Sequence, residues 1–136
     1  MRKSIKAFAT VAAAVASTSL AAAPAFADSY SRYQGGVAAG YTSHCTVLID
    51  SMHNDTKNYW VARAAYQATY GGVCRGELLR QRSGSETWEQ IGSVRVFGPG
   101  KQWSRTDWIW DGPGAKVQAC IWADGDPGDS ACTLPY

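Results

Sequence analysis

Four cysteines carry the clearest chemistry in this sequence: Cys45, Cys74, Cys120 and Cys132. No two of them lie within four residues of each other, whereas zinc sites use closely spaced Cys or His pairs. An even number of cysteines in an exported chain is typical of disulfide bonds. Three pairings are possible, and the spacing favours the local one, which joins the first to the second and the third to the fourth. Each bridge would add ~2–4 kcal/mol of stability.

General acid–base catalysis would depend on His44 or His53, because His is the usual base and the chain has two. His53 and Asp55 faintly resemble the His-Asp pair of small secreted phospholipases, but their polar surroundings favour a surface loop. A ribonuclease-like Glu, Arg and His set can be chosen from Glu77, Glu86, Glu89, Arg80 and His53. Most proteins of this size offer such a set, and the chain lacks a Gly-x-Ser-x-Gly motif. Its 11 acids leave a catalytic carboxylate pair open, but we predict no catalytic residue and no enzyme activity.

Carboxylates recur along residues 124–129, in the run Asp-Gly-Asp-Pro-Gly-Asp. Calcium prefers such oxygen ligands, but the bidentate Glu of a full calcium loop is missing. Asp, Gly and Pro are also turn formers, and the run lies inside the loop that the second disulfide would close. We therefore predict no metal and no cofactor, with calcium at this run as the alternative.

The six tryptophans fall into two groups. One group follows strand-like alternation and is predicted to lie in the core: Trp60, Trp88 and Trp122. The other group lies between two Gly-Pro-Gly breakers: Trp103, Trp108 and Trp110. Because Trp and Arg dominate interface anchors and Arg105 is nearby, this segment is either a binding surface or a cap of the core.

Lys101 follows the first breaker, in the run Gly98-Pro-Gly-Lys-Gln. An exposed loop with a single Lys would fit the acidic pocket of a trypsin-like protease. Glycine on both sides of the proline makes this loop less rigid than an inhibitor requires. A protease inhibitor is therefore an alternative to other kinds of binding protein.

The first 27 residues have the pattern of a secretory signal peptide. Basic residues at positions 2, 3 and 6 precede an apolar stretch, and Ala25-Phe26-Ala27 is a small-x-small cleavage site. The mature chain, residues 28–136, would then be extracellular. Its ten Lys and Arg against 11 Asp and Glu give a net charge of about −1. A chain with so little net charge has no overall positive electrostatic potential that would attract nucleic acid or an anionic membrane.

Residues 28–44 have the composition of an extended, flexible N-terminal arm. They contain three glycines and three tyrosines with no stable period, so they cannot bury enough surface to fix themselves. The arm is either a frayed terminus or a strap that orders on a partner. Its candidate contacts are Tyr30, Arg32, Tyr33 and Tyr41.

Residues 45–136 are predicted to form one disulfide-bonded, all-β domain. Alternation from Trp60 to Tyr70 suits a half-buried strand, although its alanines leave a helix as the alternative. Similar alternation recurs in residues 74–82 and 116–123, and breakers separate about six or seven short strands in all. This pattern indicates a small antiparallel sandwich, immunoglobulin-like, or a small barrel.

The order of signal peptide, arm and two-disulfide domain, together with two runs of sequence, is similar to that of a known family. The runs are Arg105-Thr-Asp-Trp-Ile-Trp-Asp-Gly112 and Val117-Gln-Ala-Cys-Ile-Trp122. They resemble the small adaptor (B-type) subunit of the umbrella toxin particles of actinobacteria. Those adaptors are not enzymes, and they join a stalk subunit to lectin subunits. The resemblance implies antagonism between related bacteria, with stalk-type and lectin-type subunits as partners.

The resemblance also implies two contact surfaces, the arm and residues 98–110. Besides the arm residues, the expected contacts are Lys101, Trp103, Arg105, Trp108 and Trp110. A secreted inhibitor of a trypsin-like protease or other hydrolase is the second expectation, and a small secreted hydrolase is the third.

Overall fold

The described part of the chain, residues 27–136 of a computed structural model, contains nine β-strands and no helix. The strands are β1 Tyr30–Tyr41, β2 Cys45–Asn54, β3 Tyr59–Ala68, β4 Cys74–Gln81, β5 Trp88–Phe97, β6 Ser104–Arg105, β7 Ile109–Trp110, β8 Lys116–Ala123 and β9 Asp126–Cys132. The all-β prediction is therefore confirmed, and the alanine-rich segment is the strand β3. Seven strands have seven residues or more, whereas β6 and β7 have two each. The predicted signal peptide lies outside the described residues, apart from Ala27.

The strands form two antiparallel sheets. The first has the order β1-β2-β3-β6, with β7 also paired to β3, and the second has the order β5-β4-β8-β9. Apolar side chains from both sheets form one core cluster, which makes the fold a sandwich rather than a barrel. Three consecutive strands lie side by side in the first sheet, an order that differs from the immunoglobulin arrangement.

Period-two alternation decides which side chains enter the core. The core cluster consists of Cys45, Val47, Ile49, Ala62, Ala64, Tyr66, Ala68, Cys74, Leu78, Phe97, Val117, Ala119 and Ile121. Apart from Phe97 at the end of β5, these are alternate residues of β2, β3, β4 and β8, as the sequence patterns of residues 74–82 and 116–123 predicted. The intervening residues of each strand face away from the opposite sheet.

Tyr66 is the largest fully buried side chain and sets the shape of the core. Its ring stacks on Phe97, with ring centroids 5.3 Å apart. On the facing strand, a Cβ at Gly76 would lie 2.5 Å from a Tyr66 ring carbon. Small residues around Tyr66 therefore create the space that this one large ring fills.

Both disulfides have the predicted local pairing. Cys45 bonds Cys74, which joins the start of β2 in the first sheet to the start of β4 in the second. Cys120 bonds Cys132, its direct partner across β8 and β9. Two disulfides are typical of an extracellular or otherwise oxidising environment. Within residues 27–136, no helix has the length and apolarity needed to cross a membrane.

The segment predicted as a flexible arm lies in the first sheet as the edge strand β1. It pairs with β2 from Tyr30 to Tyr41, with two irregularities in register. Arg32 and Gly36 have positive φ values of 54° and 66° in this interrupted stretch. Val37 and its neighbour Ala38 pack against the core. No alternation marked this segment as a strand, because the inward positions of β1 near the core carry small residues.

The prediction of three core tryptophans is wrong. Trp60, Trp88 and Trp122 are only half-buried, and the core cluster holds no tryptophan. Trp60 has the inward parity of β3 but lies at the strand end, beside His53. Trp122 faces outward from β8, because its neighbour Ile121 faces inward. Alternation identified the strands correctly. It could not show which face of β8 meets the other sheet, which decides Trp122, or which end of β3 does, which decides Trp60.

Candidate functional site

Residues 98–110 return from the second sheet and run along the free edge of β3. Arg105 pairs with Ala65 in β6, and Trp110 pairs with Val61 in β7. Directly paired residues of antiparallel strands project from the same face. Arg105 and Trp110 therefore belong to the outward-facing set of the first sheet.

Lys101 is fixed to the same strand edge through its main chain. The side-chain amide of Gln67 donates a hydrogen bond of 2.6 Å to the Lys101 carbonyl. The Lys101 side chain itself is exposed. Trp103 is 37% exposed and lines a shallow depression with Val96 and Pro99. This end of the segment therefore presents one cation and one aromatic ring to solvent.

A buried ion pair lies at the centre of the outward face. Nε of Arg63 donates a hydrogen bond of 3.1 Å to Asp50, its direct partner across β2 and β3. The other oxygen of the buried Asp50 carboxylate accepts a hydrogen bond of 3.1 Å from the N–H of Gly36. Asp50 thus connects all three long strands of the sheet.

One aromatic ring lies over this ion pair, and a second ring packs against the first. The Arg63 guanidinium is 4.4 Å from the centroid of the Trp108 ring, a cation–π geometry. The ring of Tyr33 meets Trp108 edge to face, with centroids 6.3 Å apart and planes at 87°. We call Tyr33, Arg63 and Trp108 the aromatic platform. It joins the two segments that the sequence indicated as separate surfaces.

The remaining predicted contact residues are not part of this platform. Tyr41 is 66% exposed and faces outward from the far end of β1, opposite Thr46. Tyr30 is exposed at the other end of the same strand. Arg32 lies over the ring of Trp60 at 5.2 Å from its centroid. The structure therefore brings Tyr33 and Trp108 together and leaves the other arm residues apart.

His53 was predicted to lie in a surface loop, and this is wrong. It is buried at the end of β2, with Nδ1 2.6 Å from a carboxylate oxygen of Asp55. Ser31 donates a hydrogen bond of 2.8 Å to the same oxygen. The hydrogen bonds from His53 and Ser31 hold the pKa of Asp55 below its usual value. Because the Ser31 hydroxyl contacts Asp55 rather than His53, this arrangement fastens the start of β1 and lacks the geometry of an activated nucleophile.

A second group of polar contacts fastens the chain just before β1. The Asp28 carboxylate accepts a hydrogen bond of 3.0 Å from Asn54 and lies 3.1 Å from the ammonium of Lys57. The hydrogen bond from Asn54, followed by that from Lys57, lowers the pKa of Asp28, and Asp28 in turn raises the pKa of Lys57. The charges of Asp28 and Lys57 are therefore paired with each other, just before β1 and after β2.

The residues of the ribonuclease-like set are divided between the sheets. Glu89 in β5 lies 2.9 Å from both Arg80 and Arg82. Hydrogen bonds from Arg82 and then Arg80 lower the pKa of Glu89. His53 belongs to the first sheet and is engaged by Asp55. The Glu, Arg and His that such chemistry requires are therefore held in separate clusters.

The carboxylates of residues 124–129 turn towards different partners. Asp124 pairs with Arg75 at 2.7 Å, whereas Asp126 accepts a hydrogen bond from the backbone N–H of Gly128 in its own strand, β9. Asp129 lies 3.2 Å from His44, and the hydrogen bonds from His44 and Ser43 lower its pKa. Across residues 27–136, no group of three or more His, Cys, Asp or Glu side chains has the geometry of a metal site.

Sequence reasoning did not single out Asp50 or Arg63, the residues that position the platform. A signal was present, because each is a charged residue inside an otherwise apolar stretch of strand. Buried charges are rare unless they are paired. Both residues fall at outward-facing positions of their strands, and this could have suggested that they pair. The sequence has no comparable signal for the Trp108 ring that covers the pair.

Comparisons of the chain with protein-family models, curated proteins and solved structures return no match.

Proposed function

We propose that this protein is a secreted, non-enzymatic adaptor that binds other secreted protein subunits through the outward face of its first sheet. The observation that carries the proposal is the contact between Tyr33 and Trp108 above Arg63. By the resemblance of residues 105–112 and 117–122, the partners are a stalk-type and a lectin-type subunit of an umbrella toxin particle. The biological role is then antagonism between bacteria.

The chemistry of the aromatic platform supports a protein partner. Tyr, Trp and Arg are the residues that most often carry binding energy at interfaces. The buried carboxylate of Asp50 holds Arg63 in place, and Arg63 in turn supports the ring of Trp108. A surface fixed in this way loses less conformational entropy when it binds.

Exposed aromatic residues extend the surface beyond the platform. Tyr33 is 56% exposed, and the other exposed rings among the predicted contacts are Tyr30, Tyr41, Trp103 and Trp110. Exposed apolar groups of this kind typically mark interaction sites. The two disulfides support secretion, because they suit an oxidising compartment.

The inhibitor alternative is less favoured by the geometry around Lys101. A substrate-like inhibitor places the carbonyl of its specificity residue in the oxyanion hole of the protease. The Lys101 carbonyl already accepts a hydrogen bond of 2.6 Å from Gln67 of the same chain. Binding a protease in the standard manner would require this bond to break.

The proposal can be tested by affinity purification of the C-terminally tagged, full-length protein from the medium of the producing strain. Wild type should bring down a stalk-type and a lectin-type subunit, identified by mass spectrometry. The double variant Tyr33→Ala, Trp108→Ala should lose at least one of them. Tyr70→Ala is the matched control, because Tyr70 is also an exposed aromatic residue, in the turn after β3. Recovery of a single protease from wild type would contradict the adaptor role and support the inhibitor.

A further inference from the structure

Strand pairing is irregular in both sheets along one side of the sandwich. In β5, Ile91 pairs with Leu78 but Arg95 pairs with Gly76, so three residues of β5 face one residue of β4. In the first sheet, the pairing of β3 is interrupted between β6 and β7. Bulges of this kind bend a strand away from its neighbours and often occur beside binding sites. Here they border a cavity of about 240 Å³.

The cavity has an apolar side and a polar side. Its apolar lining consists of Leu78, Ile91 and Ile109, and its polar lining consists of Tyr66, Ser93, Arg95, Thr106 and Asp107. Pockets for drug-sized ligands occupy roughly 300–1,000 Å³. This cavity is smaller, so its volume suits a compact metabolite with one apolar end.

Tyr66, one of the residues that line the cavity, carries an unsatisfied hydroxyl. Tyr66 is fully buried, and no atom of residues 27–136 makes a hydrogen bond to its hydroxyl. Its ring cannot move aside easily because it is held between Phe97 and Gly76. Burial raises the pKa of the Tyr66 phenol, so the hydroxyl keeps its proton as a donor. A buried donor without a partner is costly to the fold, unless an acceptor enters the cavity.

Two opposite charges line the same cavity without being neutralised. Neither Arg95 nor Asp107 forms an ion pair within the described chain, residues 27–136. Arg95 makes a hydrogen bond of 3.3 Å to the Ser104 hydroxyl and has further N–H groups to donate. Asp107 is exposed at the segment between β6 and β7.

We infer that this cavity binds a small zwitterion, an α-amino acid with a branched apolar side chain. Its carboxylate would accept hydrogen bonds from the Tyr66 hydroxyl and the Arg95 guanidinium, and its ammonium group would face Asp107. Its side chain would lie against Ile91 and Ile109. The lining contains none of the three platform residues, although Asp107 and Ile109 flank Trp108 in the chain, and the inference does not depend on the adaptor role.

Titration calorimetry and thermal unfolding with L-leucine test the inference on the full mature chain. L-leucine should bind and raise the melting temperature, as a ligand specific for the folded state must. Isocaproate lacks the ammonium group and isopentylamine lacks the carboxylate, so each should bind about tenfold or more weakly. The control Arg75→Gln alters an exposed arginine on the other face of the second sheet and should bind L-leucine normally.

The variant Tyr66→Phe gives the sharpest readout because its two effects have opposite sign. It should raise the melting temperature of the ligand-free protein by removing an unsatisfied hydroxyl, and it should weaken L-leucine binding about tenfold. Arg95→Gln should weaken binding similarly. The inference is overturned if L-leucine neither binds nor stabilises, if isocaproate binds equally well, or if Arg95→Gln or Tyr66→Phe binds L-leucine with wild-type affinity.

Discussion

Asp50 and Arg63 lie directly opposite each other on β2 and β3 and are joined by a hydrogen bond of 3.1 Å. The carboxylate is buried, yet the pair belongs to the face of the sheet that points away from the core. It is covered instead by the bulged part of β1 and by the ring of Trp108. The pair is therefore the structural support of the proposed binding surface.

Replacing Asp50 with Ala should destabilise the fold, because it leaves Arg63 without its partner and the N–H of Gly36 without its acceptor. Removing one member of a buried pair typically costs 3–5 kcal/mol, and since Arg63 is partly exposed we expect about 2–3 kcal/mol. Urea unfolding would measure the loss. Asp124→Ala is the matched control, since Asp124 forms an exposed pair with Arg75 that is worth ~1 kcal/mol or less. Equal losses in the two variants would show that the Asp50 pair gives no special support.

The close fit of Tyr66 predicts a strong effect at Gly76. A methyl group there would meet the Tyr66 ring at 2.5 Å, and overpacking of a core costs about 1–3 kcal/mol. Gly128→Ala should be nearly neutral, because its added Cβ meets only the flexible carboxylate of Asp126, at 3.3 Å. Chemical denaturation of both variants gives the comparison. A neutral Gly76→Ala would mean that the core tolerates movement of Tyr66.

Asp111 predicts a pH-dependent stability. Burial raises the pKa of its carboxyl from 3.8 to about 6, so between these values the folded state holds more protons than the unfolded state. The stability that this proton confers is complete below about pH 4 and is lost as the pH rises through 6. After allowance for partial exposure, wild type should lose about 1–2 kcal/mol relative to Asp111→Asn between pH 4 and pH 7. Parallel stability curves for the two proteins over this range would contradict the prediction.

Removing residues 28–41 should lower the melting temperature, because it takes Val37 and Ala38 off the core and exposes an edge of β2. We expect a fall of more than about 5 °C, since 1 kcal/mol corresponds to ~4–8 °C in a domain of this size. A shorter deletion of residues 28–36 keeps both core contacts and should cost less. If the longer deletion leaves the melting temperature unchanged, β1 behaves in solution as the free arm that its composition predicts.

Much of the fold could be predicted from the sequence because the signals are local. Alternation along residues 74–82 and 116–123 placed β4 and β8, and the spacing of the cysteines favoured the observed disulfides. The strand β1 was missed because pairing with β2, rather than its own apolar content, orders it. The aromatic platform could not be predicted either, since Tyr33, Arg63 and Trp108 meet only after three separate segments have joined the sheet.

The most direct test of the proposed adaptor role is the affinity of the purified protein for an isolated stalk-type subunit, measured for wild type and Trp108→Ala. Truncating an interface Trp can cost over ~2 kcal/mol of binding energy, so the dissociation constant should rise roughly thirtyfold. Because Trp108 lies outside the core cluster, the melting temperature should change by only a few degrees. Unchanged affinity in Trp108→Ala, or no binding by wild type, would contradict the account.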